Sequence, residues 1–334
     1  MKRVAVIGAG LCGAAAAAKL VASDFQVTVF DKGRAVGGRM SSKRTESGYL
    51  DMGAQYFTAR STVFQSQVQT WLKAGCAQVW RCTTVVLNAN KNVSAVEVSP
   101  DQQLRYVGAP SMQAPVKALL AGIPVVCGCR IAGLVRQGQG WTLLSDAGER
   151  YADFDAVLLT TPPEQAQQLL MQSGLPEWLN AQHTSLLEPC WAVAVRADAS
   201  VLGDAIFCQH PKLRFISHQA TKAGRCPCYI LHFNATFSRE NLEQTAAFWF
   251  EQAIDILQFE LGIKAGVEPV AAHRWLYASQ NAELTPSGIV ALPEQQLWFG
   301  GDWSHGGRVE NAYLAGLDLA DSLIHHSNRA SVSA

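Results

Sequence analysis

Val4-Ala5-Val6-Ile7 runs into Gly8-Ala9-Gly10-Leu11-Cys12-Gly13 and an alanine-rich stretch, and Val27-Thr28-Val29-Phe30 follows and ends in Asp31. The order is strand, glycine turn, helix, strand, acid. The first glycine permits the tight turn, the second lets a pyrophosphate approach the backbone, and the third lets helix and strand pack closely. The helix N-terminus presents N–H groups and a positive dipole end to phosphates. Asp31 stands where a carboxylate accepts hydrogen bonds from a ribose diol. Alone, a G-x-G-x-x-G run is a common turn. Strand, alanine helix and acid in register turn it into a dinucleotide-binding signature.

The kind of dinucleotide is indicated by further segments. Gly33-Arg34-Ala35-Val36-Gly37-Gly38-Arg39-Met40 follows Asp31, and Asp51-Met52-Gly53-Ala54-Gln55-Tyr56-Phe57-Thr58-Ala59-Arg60 comes next. Tyr106-Val107-Gly108-Ala109-Pro110-Ser111-Met112 and Val157-Leu158-Leu159-Thr160-Thr161-Pro162-Pro163 lie in the middle. Leu297-Trp298-Phe299-Gly300-Gly301-Asp302 and the block 306–316 stand near the C-terminus. In this order the blocks resemble the FAD-binding motifs of the flavin-dependent amine oxidase superfamily. Residues 51–60, with His273-Arg274-Trp275, are most similar to the renalase family, particularly its bacterial members. The resemblance covers essentially the whole chain.

It implies an α/β fold: a Rossmann-type FAD-binding domain with a discontinuous mixed α+β substrate domain, an antiparallel sheet plus helices. Residues 1–60, 105–165 and 275–330 are expected in the FAD-binding domain, and 61–104 and 166–274 in the substrate domain. The implied cofactor contacts are Gly8, Ala9, Gly10, Leu11, Cys12, Gly13, Asp31 and Lys32, then Gly38, Arg39, Gln55 and Tyr56, then Ile131 through its backbone. Asp302 resembles the ribityl-binding acid, and Arg39 the cation facing the pyrophosphate, where a guanidinium offers a planar fork of donors. A helix starting at Val309 would aim its N–H groups at the flavin N1/O2 edge and favour the reduced anion. No cysteine follows Cys228, so FAD is expected to be noncovalent.

For substrate contacts the candidates are Phe57, Thr58 and Arg60, His232 and Asn234 on a presumed lid strand, and Trp275 and Trp303. Aromatic faces could sandwich a flat ring, and Asn234 or Thr58 could orient an amide or hydroxyl. The plainer reading stays open for each, because tryptophans are core residues by default and a single histidine is more often structural. No acid, base or nucleophile is singled out as catalytic. Many amine oxidases of the superfamily carry a lysine near flavin N5, and beyond Lys222 this chain has only Lys264, in a turn unsuited to that role. The implied activity is oxidation of isomeric dihydronicotinamide dinucleotides, with hydride at C2 or C6, to NAD(P)+ with O2 reduced to hydrogen peroxide. A dihydropyridine is already a hydride donor, so positioning can replace proton transfer. An amine oxidase or desaturase of the same superfamily is the alternative, and a non-enzymatic flavin-binding sensor a third.

Composition bounds these readings. The chain has 334 residues, 49% of them hydrophobic, enough for a sizeable core and two connected domains. Lys plus Arg and Asp plus Glu are equal at 27 each, so no global field favours nucleic acid or an anionic membrane. No apolar run approaches the roughly 20 residues needed to span a bilayer. The glycine turn begins too near Met1 for a cleavable leader, and a cytoplasmic protein is expected. The nine cysteines read as reduced thiols. Cys127/Cys129 and Cys226/Cys228 have one-residue spacers that suit one face of a strand better than zinc, so no metal is expected. The periodicity predicts helices over 62–73, with Val63, Phe64, Val68, Trp71 and Leu72 on one side, over 111–121, over 241–261 and from Val309 to 325, and a frayed tail from Ser327.

Overall fold

The computed structural model describes residues 1–332, except 89–95, 180, 185, 198–202, 264, 265 and 282. Lys264 therefore lies outside the described residues. The short apolar run Arg3–Ile7 forms the central strand of a six-stranded sheet, because every residue from Val4 to Val6 is fully buried. Its neighbours are Gln26–Asp31 and Ala156–Leu159, both parallel to it, with Val4 opposite Val27 on one side and Ala156 on the other. Val125–Cys127 and Leu297–Phe299 extend the sheet in parallel, and Val290–Leu292 closes one edge antiparallel. Sheet order thus reverses around the first strand. In an open α/β sheet the crevice at that reversal is the ligand site.

The helix Leu11–Val21 covers one face of this sheet, and the long helix Val309–Val332 packs on it. Gly316 makes that contact close: a Cβ there would meet Cys12 O at 2.3 Å. The frayed tail expected from Ser327 is instead helical, and Ser327 is buried. A three-stranded antiparallel sheet, Ile131–Gln137, Gly140–Ser145 and Arg150–Phe154, helps bury the other face.

A seven-stranded sheet forms the second layer. Its order is Glu268–Gln280, Leu187–Arg196, Tyr229–Phe233, Leu213–His218, Ala205–Gln209, Thr84–Asn88 and Val96–Val98. It is antiparallel except where Thr84–Asn88 runs parallel to Ala205–Gln209. One face packs under Trp249, Ala253, Ile256 and Leu257, and part of the other rests on Leu50 and Met52. The single helix expected over 241–261 is shorter: Thr245 caps a new start by accepting from Phe248 N, and the helix Ala246–Asp255 runs into a wider turn, Ile256–Glu260. Helix Thr62–Lys73 buries Phe64, Val68 and Trp71, but Val63 is 50% exposed. The helix predicted over 111–121 is confined to Ala114–Leu119.

All nine cysteines are free. Among the described residues there is no grouping of His, Cys, Asp and Glu suited to a metal, and no helix long and apolar enough to cross a membrane.

Candidate active site

The glycine turn shows three kinds of constraint. Gly8 has φ +117°, and a Cβ there would lie 2.7 Å from Thr160 Oγ1, which itself donates to Gly8 O at 2.9 Å. A Cβ on Gly13 would lie 1.9 Å from Gly8 O. Gly10 differs: a Cβ there would meet nothing within 4 Å. Gly10 is also the N-cap of the first helix, with no side chain capping it and no acid in the first turn, while Leu11 and Cys12 are buried. Helix-end N–H groups without protein partners beside open space are suited to a phosphate. Asp31 accepts from Ala9 N and Gly33 N at 2.6 Å each, which fixes the carboxylate and leaves lone pairs for a ribose. Lys32 is exposed beside it, and Ile131 is buried among Phe30 and Ile7.

The two ends of the chain meet at Arg39. Its guanidinium donates to both oxygens of Asp302, one at 2.9 Å, and to Ala278 O at 3.2 Å. Gly38 packs on Gly10, where a Cβ would lie 3.2 Å from the Gly10 Cα. Around this pair several buried polar atoms lack partners: Thr161 Oγ1, Glu164 Oε2, Gln280 Oε1 and Trp303 Nε1. Burial pushes the Glu164 carboxyl up to about 7, although the Arg39 charge opposes it. Buried polar atoms without partners are uncommon and call for an explanation. A ligand with phosphates and hydroxyls would satisfy them, so these residues fit FAD. The helix Val309–Val332 begins beside the same region, after Gly306 and Gly307. Its first-turn Glu310 turns away, accepting from Ser61 N and Oγ at 2.7 Å and from Arg60 N.

Residues 51–60 connect this centre to the large sheet. The Met52 carbonyl accepts from Trp275 Nε1 at 2.9 Å and pairs with His232 Nε2 at 3.1 Å. Gly53 lies so close to Arg39 that a Cβ would sit 2.1 Å from Arg39 O. Burial holds His232 down at about 4, with the charges of Arg214 and Lys222 acting in the same direction. The neutral ring therefore donates from Nε2 and keeps Nδ1 as an acceptor, a tautomer inferred from the hydrogen bond. Strand register aligns Phe215, His232, Ala192 and His273 across one face. Tyr56 leans on Phe215 and Trp80, with ring centroids 5.8 and 6.1 Å away.

Other candidates are employed elsewhere. Phe57 is buried against Phe64, Trp71 and Tyr106, a core position rather than a substrate contact. Asn234 caps the helix Ala235–Glu240, accepting from Phe237 N and donating to Pro211 O, so its amide is held in place as a cap. Trp303 is buried in the core. Thr58 and Arg60 line an outer cleft of 640 Å³ with Gln65, Gln69, Gln103 and Tyr106. The Gln55 side chain is spent inside the protein, where its Oε1 accepts from Gln219 at 2.6 Å and from Lys222 at 3.1 Å.

Lys222 lies inside the protein beside Gln55 and Trp80. It is 2% exposed, its ammonium lies 4.6 Å from the Trp80 ring centroid, and burial lowers it to about 7. Arg225 of the same turn is also buried, and its Nε donates to Asp51 Oδ2 at 2.8 Å. In Lys222-Ala223-Gly224-Arg225 the sequence marks neither cation as buried. Only Gly224, at φ +75°, hints that the backbone is forced into a close approach.

Comparison with known proteins adds three findings. A family profile for the NAD(P)-binding Rossmann-like domain matches residues 6–71. A 4,4'-diapophytoene desaturase (4,4'-diaponeurosporene-forming) of Staphylococcus haemolyticus is 52% identical over 50 residues, 15% of this chain and 10% of that protein. Its counterpart in Staphylococcus aureus strain Newman is 45% identical over 51 residues, with the same coverage. The matches thus span about a tenth of the length of these curated relatives. Two crystal structures resemble the whole chain. One, from Exiguobacterium sp. 255-15 and described as a candidate protoporphyrinogen oxidase, has TM-score 0.73 at 12% identity, covering 97% of this chain and 99% of that one. An oxidoreductase from Methanosarcina mazei has TM-score 0.70 at 13% identity, covering 96% and 100%. Together these findings show a Rossmann-like NAD(P)-binding segment over residues 6–71, set in a chain with the fold of these two proteins.

Proposed function

We propose that the protein is a renalase-like FAD-dependent oxidase that converts 2- or 6-position dihydro-NAD(P) to NAD(P)+ with formation of hydrogen peroxide. When bound, FAD supplies the hydride acceptor and passes the electrons to O2. The chain's own residues bind and orient. The open helix end at Gly10 suits the diphosphate and Asp31 suits the ribose, while Arg39, whose fork is held by Asp302 and Ala278 O, keeps its Nε and one Nη2 hydrogen for an anion. Tyr56, Phe215 and Trp275 offer flat faces and exclude water beside the Met52–Gly53 backbone. His232 is neutral at physiological pH, and holds its place by a hydrogen bond rather than by moving a proton.

The observation that carries this reading over an amine substrate is electrostatic. Of the groups whose charges bear on His232, Arg214 is a permanent cation and Lys222 is cationic below about pH 7. A protonated amine is repelled by such a field, and a phosphate-bearing nucleotide is drawn into it. Rapid anaerobic mixing tests it: 2- or 6-dihydro-NAD(P) should bleach the flavin quickly, and primary amines and polyamines should not. Ordinary NADH should be slower by about 10²-fold or more, because a site that aligns C2 or C6 over N5 displaces C4 by more than an ångström, and misplacement of about 1 Å already costs about 10²-fold. Bleaching by an amine, and by none of the dihydronicotinamides, would give the assignment to the amine oxidase alternative.

A further inference from the structure

Arg214 occupies an irregular position in Leu213–His218. Leu213 pairs with Phe233 and Phe215 with His232, so Arg214 falls in the register shift between them. Its side chain is exposed, and its Nη1 donates to Ser279 Oγ at 2.9 Å. Ser279 belongs to Glu268–Gln280, and two strands of the sheet lie between that strand and Leu213–His218. The guanidinium is therefore drawn over the sheet toward Ala278, the residue whose carbonyl holds Arg39. Its charge acts on Tyr56, Cys190 and His232. Arg39, Arg105, Arg225, Arg239 and Arg274 each hold a carboxylate. Among the described residues Arg214 has no such partner. Asp101, the acid whose charge reaches Tyr56, is taken by Arg105 at 2.7 Å.

We propose that Arg214 receives a phosphate oxygen of the substrate and makes the site selective for phosphate-bearing dihydronicotinamides over phosphate-free ones. The inference rests on the function proposed above. A guanidinium presents a rigid fork that matches phosphate geometry, and here one nitrogen is already fixed by Ser279, so less freedom is lost when the rest of the fork engages. A neutral nicotinamide ring offers such a group only an uncharged carboxamide oxygen, where a phosphate offers charged oxygens in fork geometry. The diphosphate a few bonds away does.

The test uses the FAD-loaded protein and three reductants with the same 6-dihydronicotinamide ring: the dinucleotide, the mononucleotide and the riboside that lacks phosphate. Dissociation constants come from the concentration dependence of anaerobic bleaching. In parallel, the oxidised protein is titrated with NAD+ and with inorganic pyrophosphate, read by the shift in flavin absorbance. The phosphate-bearing reductants should bind about 10- to 100-fold more tightly than the riboside, the scale of a hydrogen bond between charged groups. Arg214→Gln should remove that ratio and weaken NAD+ and pyrophosphate binding by a similar factor, and Arg214→Lys should restore part of it. Equal binding of riboside and nucleotides, or an Arg214→Gln protein that binds NAD+ as the original does, would overturn the inference while leaving the proposed function intact. Loss of FAD from Arg214→Gln would assign the arginine to the cofactor and overturn it too. If no dihydronicotinamide bleaches the flavin, the proposed function falls, and the NAD+ and pyrophosphate titrations still decide whether Arg214 binds phosphate.

Discussion

Arg225 donates from Nε to Asp51 Oδ2 at 2.8 Å with both side chains fully buried, joining positions 174 apart in the chain. The pair clasps residues 51–60 to the turn before Tyr229–Phe233. Arg225 Nη1 also donates to Ala223 O and Pro110 O, while Nη2 has no partner. Removing one member of such a pair strands the other charge in the interior. Arg225→Met should therefore cost about 3–5 kcal/mol in urea unfolding, far more than a surface pair would. A loss below about 1 kcal/mol would show that the clasp is hydrated in solution.

The second and third glycines of the turn should fail in different ways. Gly10→Ala adds a methyl where the protein offers open space and an ordinary φ of −75°, so the fold should survive with near-original thermal stability. FAD retention on dialysis should fall, because the methyl stands where the pyrophosphate approaches. Gly13→Ala drives its Cβ into Gly8 O, and should lower the yield of folded protein itself. A Gly10→Ala protein that keeps FAD as tightly as the original would remove that space from the cofactor site.

His232→Gln should slow anaerobic flavin reduction only modestly, since no acid or base is lost; removal of one costs about 10²–10⁴-fold. The pH dependence has a definite sign. The folded value of about 4 lies below the ordinary 6.5, so between these limits the unfolded chain binds more protons. This contribution to stability is intact above 6.5 and is lost as pH falls toward 4. His232→Gln should flatten that part of the stability profile. An unchanged slope would place its origin at another group.

Lys222 acts in a higher window. Its folded value of about 7 lies below the ordinary 10.5, so the unfolded state holds more protons between them and stability rises with pH across that range. Asp51, Arg225, Cys82 and Cys228 are the groups whose charges bear on it. As pH rises through 7 the ammonium is lost, and NAD+ binding to the oxidised holoenzyme should weaken. Lys222→Met should bind less tightly at pH 6 and show little further change up to pH 9. The same pH profile in both proteins would remove Lys222 from the anionic-ligand field.

The turn from Val4 to Gly13 and the acid at Asp31 were determined by sequence, because their constraints are local. A buried parallel strand needs a continuous apolar run, a tight turn needs glycine, and helix N-terminal N–H groups follow from the backbone alone. Arg39 and Asp302 could be marked separately, from glycines beside one and a buried strand before the other. That they bind each other was decided by the fold, which sets Leu297–Phe299 into the same sheet as Arg3–Ile7, with only Ala156–Leu159 between them. The same holds where local signals misled. Phe57 looks like a pocket aromatic, but the backbone pairing with Tyr106 turns it into the core. Asn234 looks like a strand amide, but the chain turns into a helix there and the side chain is needed as its cap. Lys222 and Arg225 carry no sequence mark of burial. Their surroundings, Gln55, Asp51 and Trp80, come from segments more than a hundred residues away, and only the docking of the large sheet onto residues 51–57 takes both cations out of water. Charge placement at this site is long-range, set by register and by sheet packing, whereas the nucleotide turn is written in ten consecutive residues.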